Sequence, residues 1–361
     1  MISLRGTAQG VRLNRRLSTL VYRLEASDID PSVFELVSHA RPPGYAAPSL
    51  TFSLERLNEP GEWIVAPETM NFLKHGDVIA LSENGQTINA LWRGNGVTNT
   101  LLLTERCDNY CLMCSQPPRK GNDDWLLNQA FETVSLMPSD AVEIGLSGGE
   151  PTLYGERFVD LVRNISSVLP HTALHILSNG RKFSDRQFVA AYAGATSDGT
   201  MVGIPIYGAE SSLHDYVVQA TGAFEETVQG ILNLGELGQS IEIRVVVHAA
   251  TAPYLTEIAE FITRNLPFVD QVALMGLEMT GLARRNRDLL WIDPSEYRQD
   301  LAEAVRILDA HGILTFVYNH QLCVLHPSIW DFAVKSISDW KNEYDPVCAN
   351  CDVVDRCGGF F

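Results

Sequence analysis

Positive charge is scarce in this 361-residue chain: 27 lysines and arginines stand against 44 aspartates and glutamates, a net charge of −17 at pH 7. Nucleic-acid binding draws most of its affinity from cations that neutralise phosphates, so this deficit argues against DNA or RNA as a partner. The dense basic run Arg284, Arg285 and Arg287 reads as a solvated loop rather than a phosphate site. Long apolar runs are missing too. No stretch approaches the roughly 18 apolar residues of a membrane span. The basic start Met1 to Arg16 has no apolar segment behind it, so neither a secretory signal nor a membrane anchor is expected, and the expected location is the cytoplasm.

An even, evenly spread set of cysteines is also lacking. Seven are present in two groups, at 107, 111 and 114 and at 323, 348, 351 and 357. An odd count without a secretory signal fits a disulfide framework poorly and points to metal or redox chemistry.

Residues 1–95 read as a β-rich domain of unknown role. The segments 76–81 and 87–92 flank Ser82-Glu83-Asn84-Gly85-Gln86 as a hairpin, and Arg41-Pro42-Pro43-Gly44 is loop. From 96 to 290 the pattern changes to strands alternating with helices. The strands are expected at 99–104, 141–147, 173–178, 201–206, 241–247 and 272–276. Helical spacing joins Phe158, Leu161, Val162, Ile165, Val168 and Leu169, and again Phe224, Val228, Ile231, Leu232 and Leu237. A third run, 254–265, carries Leu255, Ile258, Ala259 and Ile262. Short apolar strands separated by single helices predict right-handed crossovers and a parallel sheet buried on both faces. Six such units make an open doubly wound sheet or a partial barrel; no dinucleotide fingerprint follows the first strand, which weakens the first alternative. Residues 291–361 add a helix at 294–310, a strand at 313–318 and a loop-rich tail with the last four cysteines.

Cys107-Asp-Asn-Tyr-Cys111-Leu-Met-Cys114 is a C-x3-C-x2-C string just beyond the first strand. A cubane normally takes four thiolates, so three on one tight loop leave one iron open, as a reactive centre needs. The alternative is a zinc knob completed from elsewhere, although zinc favours paired C-x2-C or Cys/His spacings. Ser147-Gly148-Gly149-Glu150-Pro151 follows the second strand, with paired glycines that permit close approach. Ser178-Asn179-Gly180 ends the third, and Ile204-Pro205-Ile206-Tyr207-Gly208 the fourth. Arg244 and His248 on the fifth strand, and Glu278 after the sixth, are candidates to line a pocket. Every motif falls at the C-terminal end of its strand, where parallel sheets and barrels collect their sites. Gly145-Leu-Ser147-Gly-Gly149 also satisfies the nucleophile elbow of serine hydrolases, with His214 or His248 as nominal base. That reading leaves all seven cysteines unexplained. In the tail, Cys348-Ala-Asn-Cys351 with Cys357 and the earlier Cys323 suffices for a fully ligated cluster or structural zinc; His320 and His326 are substitutes for Cys323.

Over roughly residues 98–361 these strings resemble the radical S-adenosylmethionine (SAM) superfamily. The resemblance implies a partial (β/α)6 barrel between the β-rich N-terminal domain and an iron–sulfur extension at the C-terminus. It implies a [4Fe–4S] cluster on Cys107, Cys111 and Cys114 with SAM on the open iron. Met113, where relatives often carry an aromatic residue, would pack on adenine. The Ser147, Gly148, Gly149, Glu150 and Pro151 string would meet the methionyl amine, and Ser178 and Asn179 the ribose. Ile206 would lie beside SAM, with Arg244 a further cofactor contact. Pro205 replaces a serine that commonly bonds SAM, and His214-Asp215 resembles the His-Asp pair of peptide-modifying members. The tail resembles the "twitch" extension, related to SPASM, and implies a second, auxiliary [4Fe–4S] cluster on Cys323, Cys348, Cys351 and Cys357.

Within the superfamily, Thr104-Glu-Arg-Cys107, Cys114-Ser-Gln-Pro-Pro118, Met275-Gly-Leu-Glu278 and the string 336–344 resemble the C-type maturase of the His-Xaa-Ser peptide system. That resemblance implies reductive cleavage of SAM to a 5′-deoxyadenosyl radical and hydrogen abstraction from a ribosomally made His-Xaa-Ser precursor peptide. Its implied partners are that peptide, a reductant such as flavodoxin or ferredoxin, and a second maturase. The alternatives are other peptide or protein modifications (cyclophane or thioether formation, sulfatase maturation) and a non-catalytic iron–sulfur scaffold.

Overall fold

Eight short strands open the chain: β1 Arg5–Thr7, β2 Gly10–Arg12, β3 Val21–Ala26, β4 Val33–Val37, β5 Thr51–Ser53, β6 Trp63–Val65, β7 Val78–Leu81 and β8 Thr87–Trp92. The computed structural model describes residues 4–360 except 15, 18, 19, 29, 31, 39–50, 56–60, 97 and 337–342. The loop expected at 41–44 and most of the 336–344 string lie outside the described residues. The strands form one sheet in the order β1-β8-β7-β3-β4-β5-β6-β2, and the expected hairpin is the antiparallel β7–β8 pair. Alternation sets its inner face: in β4, Phe34 and Leu36 are buried while Glu35 is exposed. β1 and β2 end the order on opposite sides, yet only Ala8 and Gln9 separate them, their amides donating to Gln86 O and Val65 O at 2.9 Å. The sheet therefore closes on itself as a small barrel around Leu24, Phe34, Phe52, Ile64, Met70 and Ile88.

The later strands and helices alternate. In chain order they are β9 Thr100–Leu102, α1 Asp124–Leu136, β10 Glu143–Ser147, α2 Glu156–Val168, β11 Ala173–Leu177, α3 Arg186–Ala193, β12 Thr200–Pro205, α4 Ser211–Val218, α5 Ala223–Glu236 and β13 Ser240–Val247. There follow α6 Leu255–Asn265, β14 Gln271–Gly276, α7 Gly281–Arg285, α8 Arg287–Leu290, α9 Pro294–Ala310 and β15 Leu314–Tyr318. The second sheet runs β15-β14-β13-β12-β11-β10-β9, strictly in sequence order. β11 to β15 pair in parallel throughout. An order without reversal has no switch point, which sets aside the doubly wound alternative. Right-handed crossovers of one sense put the helices on one side, so the sheet curls into a partial barrel. It counts seven strands rather than six, because β15 joins it beside β14.

These elements sort into two compact units. One comprises Met1–Leu102, Asp124–Gly145 and Asn164–Thr172; the other comprises Leu103–Asp123, Leu146–Arg163 and Ala173–Phe361. In the second unit the strand registers stack side chains on the inner face in layers. Leu177, Gly203, Glu242 and Gln271 share one layer; Pro205, Arg244, Ala273 and Phe316 share the next; Val246, Met275 and Tyr318 follow. The face turned to the helices carries Ile176, Val202, Ile204, Ile243, Val245 and Val272, all fully buried.

Helix caps explain several boundaries. Asp293 accepts from Ser295 N at 2.9 Å ahead of Pro294, and Asp185 caps α3 through Gln187 N and Phe188 N. α5 exists where expected, but its buried stripe is Ala223, Thr227, Gly230, Ile231 and Leu234. Leu232 and Leu237 are exposed, as is Val168 at the end of α2. The reason is Gly230: a Cβ there would fall 2.2 Å from Gly180 O, so α5 lays its smallest side on the loop after β11. Among the described residues no helix is long and apolar enough to cross a membrane.

Candidate active site

Beyond β9 the chain turns into the loop carrying Cys107, Cys111 and Cys114, all free thiols. The start of this loop is fastened by Asp123. Its carboxylate accepts from Thr104 Oγ1 (2.7 Å), Glu105 N (2.6 Å) and Arg106 Nε (2.8 Å), while Tyr154 OH donates to it at 3.2 Å. Burial alone would raise the Asp123 carboxyl, but the Thr104 and Glu105 bonds and the Arg106 charge outweigh it and hold the group low. The Arg106 guanidinium also lies over the Tyr154 ring, 4.9 Å from its centroid. The middle of the loop is fastened to α4: Tyr110 N donates to Val218 O and Leu112 N to Val217 O, both at 2.9 Å. These carbonyls end a helix and would otherwise lack partners.

The thiols are desolvated. Burial pushes Cys107 up to about 12, and the Glu150, Asp108 and Cys114 charges add to the shift, against a bond from Asn109 N. Burial also raises Cys111, reinforced by Cys107 and Cys114, and raises Cys114. Three soft donors that feel one another in a water-poor loop are disfavoured as bare thiolates and favoured as ligands of a cationic group. The donor set thus fits an iron–sulfur cluster. Among the described residues no three His, Cys, Asp or Glu side chains gather as they would around a single metal ion.

Gly148 and Gly149 make room for the cysteine loop itself. A Cβ on Gly148 would fall 2.5 Å from Thr104 O, and one on Gly149 would fall 2.1 Å from Arg106 O and 3.1 Å from Cys107 Cβ. Leu103 N donates to Ser147 O, Gly149 N to Thr104 O and Glu150 N to Arg106 O, each at 2.8 Å. The close approach that requires glycine is therefore of backbone to backbone. The Glu150 carboxylate, fully buried, accepts from Thr152 N (3.0 Å), Thr152 Oγ1 (2.6 Å), Ser178 Oγ (2.9 Å) and Asn179 N (2.6 Å). Burial pushes its carboxyl up against those four bonds, which favour the ionised form. Glu150 thereby ties the end of β10 to the end of β11.

The segment after β11 reaches back to the cysteines. Asn179 Nδ2 donates to Asp108 Oδ1 at 2.6 Å, and Arg181 Nη1 donates to Asp108 O and Asn109 Oδ1 at 2.9 Å. Arg181 Nε is held by Glu226 of α5 at 2.6 Å. Loops following three successive strands thus converge on one three-cysteine turn.

The Radical SAM superfamily model matches residues 101–262. That stretch is similar to the radical SAM superfamily. No curated protein matches the chain. Among solved structures, SuiB of Streptococcus suis bound to S-adenosylmethionine aligns at 16% identity over 62% of this chain and 47% of its own, TM-score 0.43. Native anSMEcpe with bound AdoMet and Kp18Cys peptide aligns at 15% over 59% and 61%, TM-score 0.46. A radical SAM methyltransferase from Sphaerobacter thermophilus aligns at 16% over 69% and 74%, TM-score 0.48. The chain spans less than two thirds of the length of the first two.

Other residues expected at the site fall as follows. Met113 is buried in a cluster with Tyr207, Val217, Val218, Ala223, Ala283 and Leu290. Ile206 is buried at the end of β12, its amide donating to Arg244 O. Pro151 begins the turn that Glu150 caps. His214 lies inside α4, accepts from Tyr207 N at 3.3 Å and packs between the Tyr207 and Phe224 rings. Burial drives it down to about 4, so it is neutral at pH 7. Asp215 accepts from Gly222 N and Phe224 N at the start of α5. The His-Asp pair is structural here. His248 is also buried and held down to about 4 by burial, its Nδ1 accepting from Ala250 N. Among the described residues no hydrogen bond joins either histidine to Ser147, so a hydrolase triad is not assembled.

Arg244 projects from the inner face of β13. Its Nη1 donates to Glu242 Oε1 at 2.6 Å, and among the described residues its Nη2 bonds only to the thioether of Met275, at 3.2 Å. Glu242 is further bound by Gln271 Nε2 at 2.5 Å, with His175 Nε2 at 3.5 Å. Burial would raise Glu242, but His175 and Arg244 hold it down to about 2. Gly203 leaves the space: a Cβ there would lie 3.0 Å from Arg244 Cδ and 3.2 Å from Glu242 Oε1. Glu278 receives Asn319 Nδ2 at 3.4 Å.

In the tail, burial raises Cys323, and the Cys357, Cys348 and Cys351 charges add to the shift. Cys357 Sγ accepts from Leu322 N at 3.4 Å and Gly359 N at 3.5 Å. Tyr344 OH donates to Cys357 O at 2.8 Å. The histidine substitutes are committed elsewhere. His320 Nδ1 faces Tyr318 O at 2.7 Å and its Nε2 faces Tyr297 OH at 2.8 Å, while His326 caps the turn at Ser328. With both ring nitrogens engaged, His320 has no lone pair left for a metal.

Proposed function

We propose that this radical SAM enzyme is a peptide maturase acting on a His-Xaa-Ser-type precursor. Cys107, Cys111 and Cys114 hold its [4Fe–4S] cluster. The observation that carries the reading is the convergence of the Cys107–Cys114, Ser147–Pro151 and Ser178–Arg181 segments at one end of a parallel sheet. When bound, the cluster and SAM supply one-electron cleavage of a sulfonium and a 5′-deoxyadenosyl radical that takes hydrogen from the substrate. The residues of the chain orient and shield. Asp123, Asn179 and Arg181 fix the cysteine loop, and Glu150 fixes the two loops beside it. Arg244 offers Nη2 to the methionyl carboxylate, since a thioether is a weak acceptor that a carboxylate displaces. Phe316, Tyr318 and Met275 line the same inner face and support a peptide segment near the reacting carbon, where positioning supplies most of the protein's contribution. The Cys323, Cys348, Cys351 and Cys357 set supports an auxiliary [4Fe–4S] cluster; the amides aimed at Cys357 are the bonds that tune such centres.

Anaerobic reconstitution with iron and sulfide, followed by SAM and dithionite, should yield 5′-deoxyadenosine. Cys111→Ala should abolish it, and a precursor containing His-Xaa-Ser should change in mass. Cys348→Ser should lower bound iron from about eight to about four per chain while leaving SAM cleavage without peptide in place. Zinc in place of iron, or 5′-deoxyadenosine formed equally by the Cys111 variant, refutes the reading.

A further inference from the structure

The cysteine loop has an outer neighbour of unusual charge. Leu282 N donates to Cys114 O at 2.8 Å and Asn286 Nδ2 donates to Leu112 O at 2.7 Å, so α7 and α8 sit directly on residues 112–114. Gly281, with φ +51, comes so close that a Cβ would fall 2.4 Å from Cys114 O. Ala283 and Leu290 bury themselves with Met113. The other side of these helices faces solvent and carries Arg284, Arg285 and Arg287 together with Leu289 and Trp291, which are 46% and 48% exposed. Among the described residues none of the three guanidinium groups has an ion-pair partner, and Asp288 is the lone acid within Gly281–Leu290. This is a concentration of positive charge on a chain whose net charge is −17.

We propose that this arginine face is where an acidic one-electron carrier protein docks to reduce the cluster, an inference that rests on the function proposed above. Each SAM cleaved consumes one electron. The carrier is oxidised by one electron, the cluster is reduced by one, and no other group is transferred. An anionic carrier is repelled by most of an acidic surface and steered to the patch where the sign reverses. Arginine and tryptophan are the residues that such contacts favour, and electron-transfer contacts are small and transient. From this face the route inward is one helix turn and the hydrogen bond from Leu282 N to Cys114 O.

The test uses the full chain and an acidic flavodoxin. Reversing Arg284→Glu, Arg285→Glu and Arg287→Glu together should weaken flavodoxin binding by on the order of 10- to 100-fold at low ionic strength and erase its salt dependence. Binding is read by surface plasmon resonance on metal-free and reconstituted protein alike. Flavodoxin-driven SAM cleavage should fall in parallel, while dithionite-driven cleavage stays unchanged. The matching lysine triple variant should keep binding, because steering needs charge rather than a guanidinium. Unchanged flavodoxin binding overturns the proposal. So does an equal fall in both reactions, or loss of self-association in place of carrier binding. Failure of dithionite to support cleavage in the unaltered chain strikes the proposed function instead, and the binding measurement still decides the docking face.

Discussion

Replacing Gly149 by alanine isolates the packing of the cysteine loop from its chemistry. The added Cβ would stand 2.1 Å from Arg106 O and 2.6 Å from Arg106 C, with Cys107 Cβ at 3.1 Å. Side-chain carbons do not approach other atoms within 3.0 Å, so the backbone carrying Cys107 must retreat by about 1 Å. Overpacking of this kind costs about 1–3 kcal/mol of stability. The functional loss should exceed that, because a misplacement of about 1 Å at a reacting centre costs on the order of 100-fold in rate. Gly194→Ala is the control. Its nearest neighbour would be Ala190 O at 3.5 Å and its φ is −75, so stability should change by no more than about 0.5 kcal/mol. The assay pairs urea denaturation with iron content and 5′-deoxyadenosine yield after reconstitution. A Gly149→Ala protein that loads iron and cleaves SAM as the unaltered chain does would show that the glycine pair serves something other than this packing.

Three further outcomes are expected. Arg181→Ala removes the bonds to Asp108 O, Asn109 Oδ1 and Glu226, and should cost roughly 1–2 kcal/mol after allowance for the exposed Glu226. It should also speed iron release to a chelator, which absorbance follows. Glu242, ordinarily 4.5 and here held down to about 2, stabilises the fold fully above pH 4.5 and loses that contribution as pH falls through about 2. Glu242→Gln should therefore differ most from the unaltered chain at neutral pH and converge with it between pH 4.5 and 2 in denaturation midpoints. Tyr297→Phe leaves His320 Nε2 without its donor, a loss of about 1–3 kcal/mol in urea unfolding with no change in dithionite-driven SAM cleavage.

Much of the barrel was legible because strong periodicity was reinforced by caps. In α9, Asp293 and Pro294 mark the start of an apolar stripe. α6 is similarly plain, with Ile258, Ala259 and Ile262 all buried. α1 was not anticipated: its buried face includes Thr133, whose hydroxyl bonds back to Gln129 O, so the apolar period is broken in the sequence. α3 and α4, eight residues each, are too short to establish a period. The inward stripe of α5 differs from the one its apolar spacing predicts because the closest packing is made by a glycine, which hydrophobicity does not register. At the site, the cysteine spacing was visible, whereas Asp123 and Arg181 were not. Each acts through partners remote in sequence, Asp123 to Thr104 and Arg181 to Asp108, and no local spacing encodes such a bond. Asp185, followed by Phe188, was a cap signal that could have disclosed α3.

The turn that bears Cys107, Cys111 and Cys114 is anchored at both ends and in the middle by ordinary peptide and side-chain bonds. A zinc finger collapses when stripped because its metal is its only core. Here the bonds that hold the turn are made by the chain itself, so under the function proposed above the turn would keep its shape when a cluster is lost to oxygen and would accept another.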